Sequence, residues 1–122
     1  MPAPRPLFHI VDEQGWTLAR ADGQLRPPSL LDEGFVHCSF AEQVPGTLAR
    51  HFDGVAGLLV LEIDPAVLTA PIRLEDGGGD TFPHVYGPIP VAAVTGEQPA
   101  ATFTPPGPAG DRRNPGVASA DR

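Results

Sequence analysis

Three histidines stand in apolar company. His37 lies in Gly34-Phe35-Val36-His37-Cys38-Ser39, where a thiol and a hydroxyl crowd the imidazole. His9 lies in Leu7-Phe8-His9-Ile10-Val11, and His84 in Phe82-Pro83-His84-Val85-Tyr86-Gly87. A buried imidazole costs free energy unless its nitrogens find partners, and it is the side chain that most readily exchanges a proton near neutral pH. The pattern predicts that the three converge on one pocket and exchange hydrogen bonds with an organic ligand. Two simpler roles compete with that one. Each could be a core histidine satisfied by a backbone carbonyl, or the three could hold a metal. No pair has the H-x-H or H-x-x-x-H spacing of close metal ligands, so no metal is expected.

The neighbours of these histidines sort by geometry. Successive strand residues point to opposite faces, so Cys38 cannot share a face with His37, and a small buried apolar role suits it better than that of a thiolate nucleophile. Ser39 does share the face of His37, although no G-x-S-x-G elbow surrounds it. With Glu42 it also has the spacing of a helix capping box. Tyr86, the single tyrosine, follows His84 by two residues and is a candidate pocket wall or rim residue. Arg26, Arg50 and Arg73 are the candidate anion contacts. The chain has no lysine, which excludes a Schiff-base mechanism. Glu62 sits inside an apolar run and needs a partner there. Glu75 reads as an exposed residue after a strand. His51 reads as a helix-end cation outside the site.

The elements that must position these groups follow from periodicity. Residues 7–11 alternate as a strand, with Leu7, His9 and Val11 on one face and Phe8 and Ile10 on the other. Asp12 can cap a helix to about Ala21 that packs through Trp16, Leu18 and Ala19 and is ended by Gly23. Arg26-Pro27-Pro28-Ser29 predicts irregular chain, followed by a short turn over 29–33. Residues 35–39 predict a second strand, and a helix over about 41–52 is regular only from Pro45. Gly57 to Ile63 is the clearest buried strand. Residues 65–68 form a turn, 71–75 a short strand, and 76–80 a flexible loop. Residues 82–90, with three prolines, read as a rigid segment, and 91–98 as the last strand. This order, with strands clustered late, predicts an α+β fold rather than a doubly wound parallel sheet.

Bulk composition bounds the rest. The 122 residues suffice for one domain. The 16 prolines and 14 glycines make about a quarter of the chain, which predicts short elements and many turns. The expected organisation is an extended lead-in at 1–6, a single domain at 7–103 and a disordered Pro/Gly-rich tail at 104–122. A net charge of −7 disfavours nucleic acid. The single cysteine forms no internal disulfide, no signal peptide is visible, and no apolar run reaches the ~20 residues that cross a bilayer. These features predict a cytoplasmic protein whose partner is a small molecule, with no nucleic acid or membrane.

Four blocks carry a family resemblance: Phe8-His9-Ile10, Pro28-Ser29-Leu30, Gly34 to Ser39, and Phe82-Pro83-His84-Val85-Tyr86-Gly87-Pro88. In order, they resemble the signature of a small bacterial domain-of-unknown-function family whose members are sometimes labelled glutathione-S-transferase-like. The resemblance spans about residues 6–98. That family is distantly similar to ADP-ribosyltransferase-like domains, which bind NAD in the cleft of a split sheet. The resemblance implies a small split mixed sheet with two main helices, NAD as a substrate, His9 holding the nicotinamide ribose, and His37 or Ser39 in the second-strand role. It also implies a glutamate on a later strand, for which Glu62 and Glu75 are the candidates. The site expected on both grounds has His9, His37, Ser39 and His84 as candidate catalytic residues. Its candidate ligand contacts are His9, His37, Ser39, Tyr86, Arg26 and Arg73. Function is then expected to be binding of NAD or an ADP-ribose-type molecule, with cleavage or transfer at the ribosyl carbon. The alternative is a non-catalytic binder that uses the same pocket.

Overall fold

The computed structural model describes residues 5–105. Most of the expected lead-in and of the expected tail lies outside those residues.

The chain opens with strand β1, Leu7–Asp12, in which both faces are apolar. Its last residue turns the chain into helix α1, Glu13–Asp22, because the Asp12 carboxylate accepts from Gly15 N at 2.7 Å. Trp16 and Ala19 are the buried face of α1, and the indole N–H donates to Glu97 Oε2 at 3.1 Å. Leu18, expected on that face, is 62% exposed. It is adjacent to Ala19 but rotated ~100° around the helix, off the packing stripe.

After β2, Gln24–Leu25, the proline pair does not prevent regular structure as expected. It starts helix α2, Pro28–Glu33. Pro28 occupies the first turn, where a missing N–H loses nothing and the fixed φ suits a helix. Gly34 ends α2 at φ 91°, a conformation that disfavours any side chain, and its N–H returns to Leu30 and Ser29 carbonyls. Strand β3 follows but is only Val36–His37, shorter than expected. Beyond it, one further bridge joins Ser39 to Phe8. The expected Ser39 cap is replaced by Gln43, whose side chain accepts from Phe40 N at 2.8 Å and opens the 3-10 turn Ala41–Gln43. Helix α3, Val44–His51, then runs with Pro45 in its first turn.

Strand β4, Leu58–Ile63, is buried on both sides. A 3-10 turn, Pro65–Val67, leads to the hairpin of β5, Ile72–Gly77, and β6, Asp80–Val85. Two expectations change here. The glycine run is a tight two-residue turn rather than a loose loop, with Gly78 and Gly79 at φ 66° and 91°. The segment that begins at Phe82 belongs to a strand in spite of Pro83. The Pro83 carbonyl accepts from Cys38 N at 3.1 Å. Since N–H and C=O of one residue face the same neighbour, its missing donor faces the side where β3 has already stopped. Short β7, Ile89–Pro90, and β8, Val94–Pro99, complete the strands.

The fold is α+β, with β1-β4-β8, β3-β6-β5 and β2-β7 as separate small sheets. The sheet is split as expected, but it is not mixed. Every ladder among the described residues is antiparallel. Two hydrogen bonds, Phe8 N to Ser39 O and Ser39 N to Phe8 O, both 2.8 Å, stitch the first sheet to the second. Alternation along β1 sends Leu7 and Val11 into the larger core with Trp16, Val36 and Ile63, and Phe8 and Ile10 into a smaller one with Val44 and Val60. No helix among the described residues is long and apolar enough to cross a membrane.

Candidate functional site

A cavity of about 600 Å³ opens at the seam between the two larger sheets. It lies over the Phe8–Ser39 bridge, with α2 and α3 at its sides and the β5–β6 hairpin across from β1. His9, His37, His51 and His84, all four histidines of the chain, line it. Phe8, Phe35, Phe52 and Phe82 give it aromatic walls. This size and lining fall within the range of small-molecule sites.

Each imidazole is held differently. His9 is buried, and its Nδ1 is 2.7 Å from the His37 carbonyl oxygen. A carbonyl only accepts, so the proton is on Nδ1, and neutral His9 carries its lone pair on Nε2. Burial pulls its pKa below the ordinary value, an effect partly offset by the bond to His37 and reinforced by the His37 charge. His84 is buried too, and its Nδ1–H donates to Glu75 Oε1 at 2.7 Å. Phe35 stacks on its ring at 4.1 Å between centroids and 15° between planes. His37 is half exposed. Its Nε2–H donates to Glu33 Oε2 at 3.2 Å, and its ring meets that of His84 edge-on at 5.2 Å.

The carboxylate behind His84 is itself held. Tyr86 OH donates to the same Glu75 Oε1 at 2.7 Å. That bond, the one from His84, and the charges of His84 and Arg73 keep the Glu75 carboxyl below the usual range, while the same contact pushes the Tyr86 phenol up. The Arg73 guanidinium lies 5.1 Å above the Tyr86 ring. Glu75 is therefore not a bystander at a strand end as expected. It belongs to β5 and accepts from two side chains, His84 and Tyr86.

Ser39 is buried at the seam and shares a hydrogen bond of 3.1 Å with Thr47 of α3. Cys38 packs into the larger core and also borders the cavity, and burial pushes its thiol up to about 12. Together, His9, His37, Ser39 and His84 stand at the cavity, whereas three expected contacts do not. Tyr86 touches Phe35 from behind, with ring centroids 5.2 Å apart, and is not on the lining. Arg73 lies over Tyr86. Arg26 belongs to a different concavity beside α1, where it bonds Gln24 and pairs with Asp22. The arginine at the cavity is Arg50, accompanied by His51. Their spacing with Thr47, at i, i+3 and i+4, was the available signal, since it puts all three on one helix face. Glu62 is on β4 opposite Phe8 and does not line the cavity. Among the described residues no group of three or more His, Cys, Asp or Glu side chains is arranged to hold a metal ion.

Residues 10–97 match the family described as "Protein of unknown function (DUF952)". The chain belongs to this family. Within structures, it is similar to CC0527 from Caulobacter crescentus. The crystal structure of that protein is 33% identical, with a TM-score of 0.71 over 77% of this chain and 84% of that one. Its solution NMR structure gives 33% identity and a TM-score of 0.67 over 77% and 83%. No curated protein matches the chain. The matched span contains every residue that lines the cavity except Phe8 and His9, which immediately precede it.

Proposed function

We propose that the cavity binds NAD or an ADP-ribose-type molecule. The observation that carries this reading is the convergence of four histidines, Arg50 and four phenylalanines on one space of about 600 Å³. Aromatic walls suit a flat nicotinamide or adenine ring, imidazoles suit ribose hydroxyls, and a guanidinium suits phosphate. The likeness to ADP-ribosyltransferase-like domains supports it from another side. His9 lies on the first strand, and His37 and Ser39 lie on and just after the strand across the seam, and these are the residues to which that likeness would give the ribose-binding and second-strand roles. The ligand would lie across the split, with its ribose between β1 and β3.

A thermal-shift series with NAD, ADP-ribose and nicotinamide tests the proposal. A ligand at a hundredfold its Kd adds about 2.7 kcal/mol to stability, a rise in melting temperature that is easily read. His37→Ala is the variant of choice, because His37 is half exposed and its removal leaves the core intact. It is expected to abolish the rise without unfolding the chain. Absence of any shift by NAD and ADP-ribose overturns the reading.

One observation favours a second, non-catalytic version. The transferase mechanism calls for a glutamate at the ribosyl carbon, yet the carboxylates on the lining are Glu33 and Asp76. Glu33 is engaged by His37, and Asp76 accepts from Thr81 Oγ1 at 3.4 Å. A thermal shift by NAD with no release of nicotinamide over hours would select this version.

A further inference from the structure

Resting on that ligand reading, we propose that the cavity hydrolyses the bond between nicotinamide and ribose, with His84 as the general base for water and Glu75 as the residue that positions it. The geometry is that of an oriented imidazole. Glu75 Oε1 takes the Nδ1 proton at 2.7 Å, which leaves the lone pair of a neutral ring on Nε2. Among the described residues Nε2 has no partner, and the ring borders the cavity. Phe35 stacked on its face prevents the ring from swinging. The orienting carboxylate is fixed in turn by the Tyr86 hydroxyl on the same oxygen, and Arg73 lies over the Tyr86 ring. Tyr86 and Arg73 thus act at one remove, as positioning residues, rather than on the ligand.

The cavity offers no better acceptor than water. The Ser29 hydroxyl donates to the Phe35 carbonyl, Ser39 and Thr47 bond each other, and Cys38, although it borders the cavity, is a buried thiol that burial keeps protonated. In the step, water gives a proton to His84 Nε2 and its oxygen bonds to the ribosyl carbon. The bond from that carbon to the nicotinamide nitrogen breaks, and its electron pair leaves with nicotinamide. ADP-ribose, nicotinamide and one proton, which passes from Nε2 to solvent, balance NAD plus water. The missing glutamate is then not a defect, because no acceptor side chain has to be oriented.

Two experiments separate this proposal from the ligand reading. The first uses no ligand. Diethyl pyrocarbonate acylates an unprotonated imidazole nitrogen, and peptide mapping reads each histidine. His84 is expected to be modified in the native protein. Glu75→Leu is expected to lose most of that modification, because Nδ1 then has no acceptor and the ring is free to carry its proton on Nε2. Glu75→Asp is expected to restore part of it, and the hydrogen-bonded Nδ1–H proton resonance of His84 should vanish in Glu75→Leu alone. An inert His84 in the native protein, or equal rates in wild type and Glu75→Leu with the fold intact, overturns the positioned base whatever the ligand is. The second follows nicotinamide release from NAD in the full chain. His84→Ala is expected to lower the rate by ~10²–10⁴ with NAD binding retained. NAD that binds without being hydrolysed, or that is hydrolysed equally by His84→Ala, overturns the proposal. A reactive His84 with no NAD binding instead sinks the ligand reading, and with it the named substrate.

Discussion

At the scale of single residues, the same burial that makes the site also makes it sensitive to acid. His9 is held neutral by burial, so its folded pKa lies below the 6.5 of an exposed imidazole. Unfolded chain takes up the proton first as pH falls. Its bound-proton excess makes stability rise with pH in the window between the folded value and 6.5. The contribution of His9 is therefore complete above that window and is lost as pH drops through it. Melting temperature should fall from pH 7 toward pH 5 in the wild type. The slope should be shallower in His9→Gln, which keeps a donor for the His37 carbonyl but does not titrate. An unchanged slope would remove His9 as its source. Cys38 gives a second check. With its thiol pushed up to about 12 by burial, it carries almost no thiolate at neutral pH. A thiol reagent should modify it at the rate of global unfolding and reach full reaction only in denaturant. Rapid labelling of native protein would show that the cavity gives a reagent direct access to the Cys38 sulfur.

At the scale of elements, the glycines discriminate between helix interior and helix end. Gly46 lies within α3, has ordinary dihedrals, and would place a Cβ in open space. Gly46→Ala should raise stability by ~0.5–1 kcal/mol in a denaturant titration. Gly34→Ala should lower it by ~1–2 kcal/mol, since its φ of 91° is a left-handed conformation. Equal effects would refute the assigned helix end. Elements such as β1, α1, α3 and β4 are legible in the sequence because each signal is local: alternation in Leu7–Val11, the Asp12 cap, the apolar run at Leu58–Ile63. Sequence misleads where tertiary partners decide. Pro28 reads as a breaker, although its position makes it a helix start. Pro83 and the two prolines after it make 82–90 read as a rigid segment, and β6 accommodates Pro83 because β3 ends beside it. Of the site, His9, His37 and His84 are legible, because an imidazole amid apolar residues is conspicuous, whereas His51, which reads as a helix-end cation outside the site, lines the cavity as well. The partnership of Glu75 with His84 is not, since it depends on how β5 registers against β6. Arg26 and Arg73 mislead because a guanidinium is equally at home on a surface, and nothing local tells which one meets a cavity.

At the scale of the whole molecule, stability and site meet in one residue. The two larger sheets are separate ladders, joined in the backbone by the Phe8–Ser39 bridge, and the cavity sits over that join. Phe8 is 1% exposed and packs with Val44 and Val60, and its ring meets Phe103 edge-on at 5.6 Å. Its side chain thus ties α3 and β4 together beneath the seam that its backbone stitches. Truncating a buried phenylalanine costs ~3–5 kcal/mol, and the whole stability of a domain this size is only ~5–15 kcal/mol. Phe8→Ala should therefore bring the chain close to its unfolding threshold. Phe8→Leu retains most of the apolar volume, so it should stay folded at a cost of about 1–2 kcal/mol. The instructive readout is amide exchange at Phe8 and Ser39 in Phe8→Leu. If the bridge depends on the packing below it, both amides should exchange faster by more than the global loss of stability accounts for, and His37→Ala should leave them unchanged. If the two seam amides instead follow the core of β4 in both variants, the sheets open only as one unit. The seam would then be as rigid as the core, and the cavity over it could not widen without unfolding the protein.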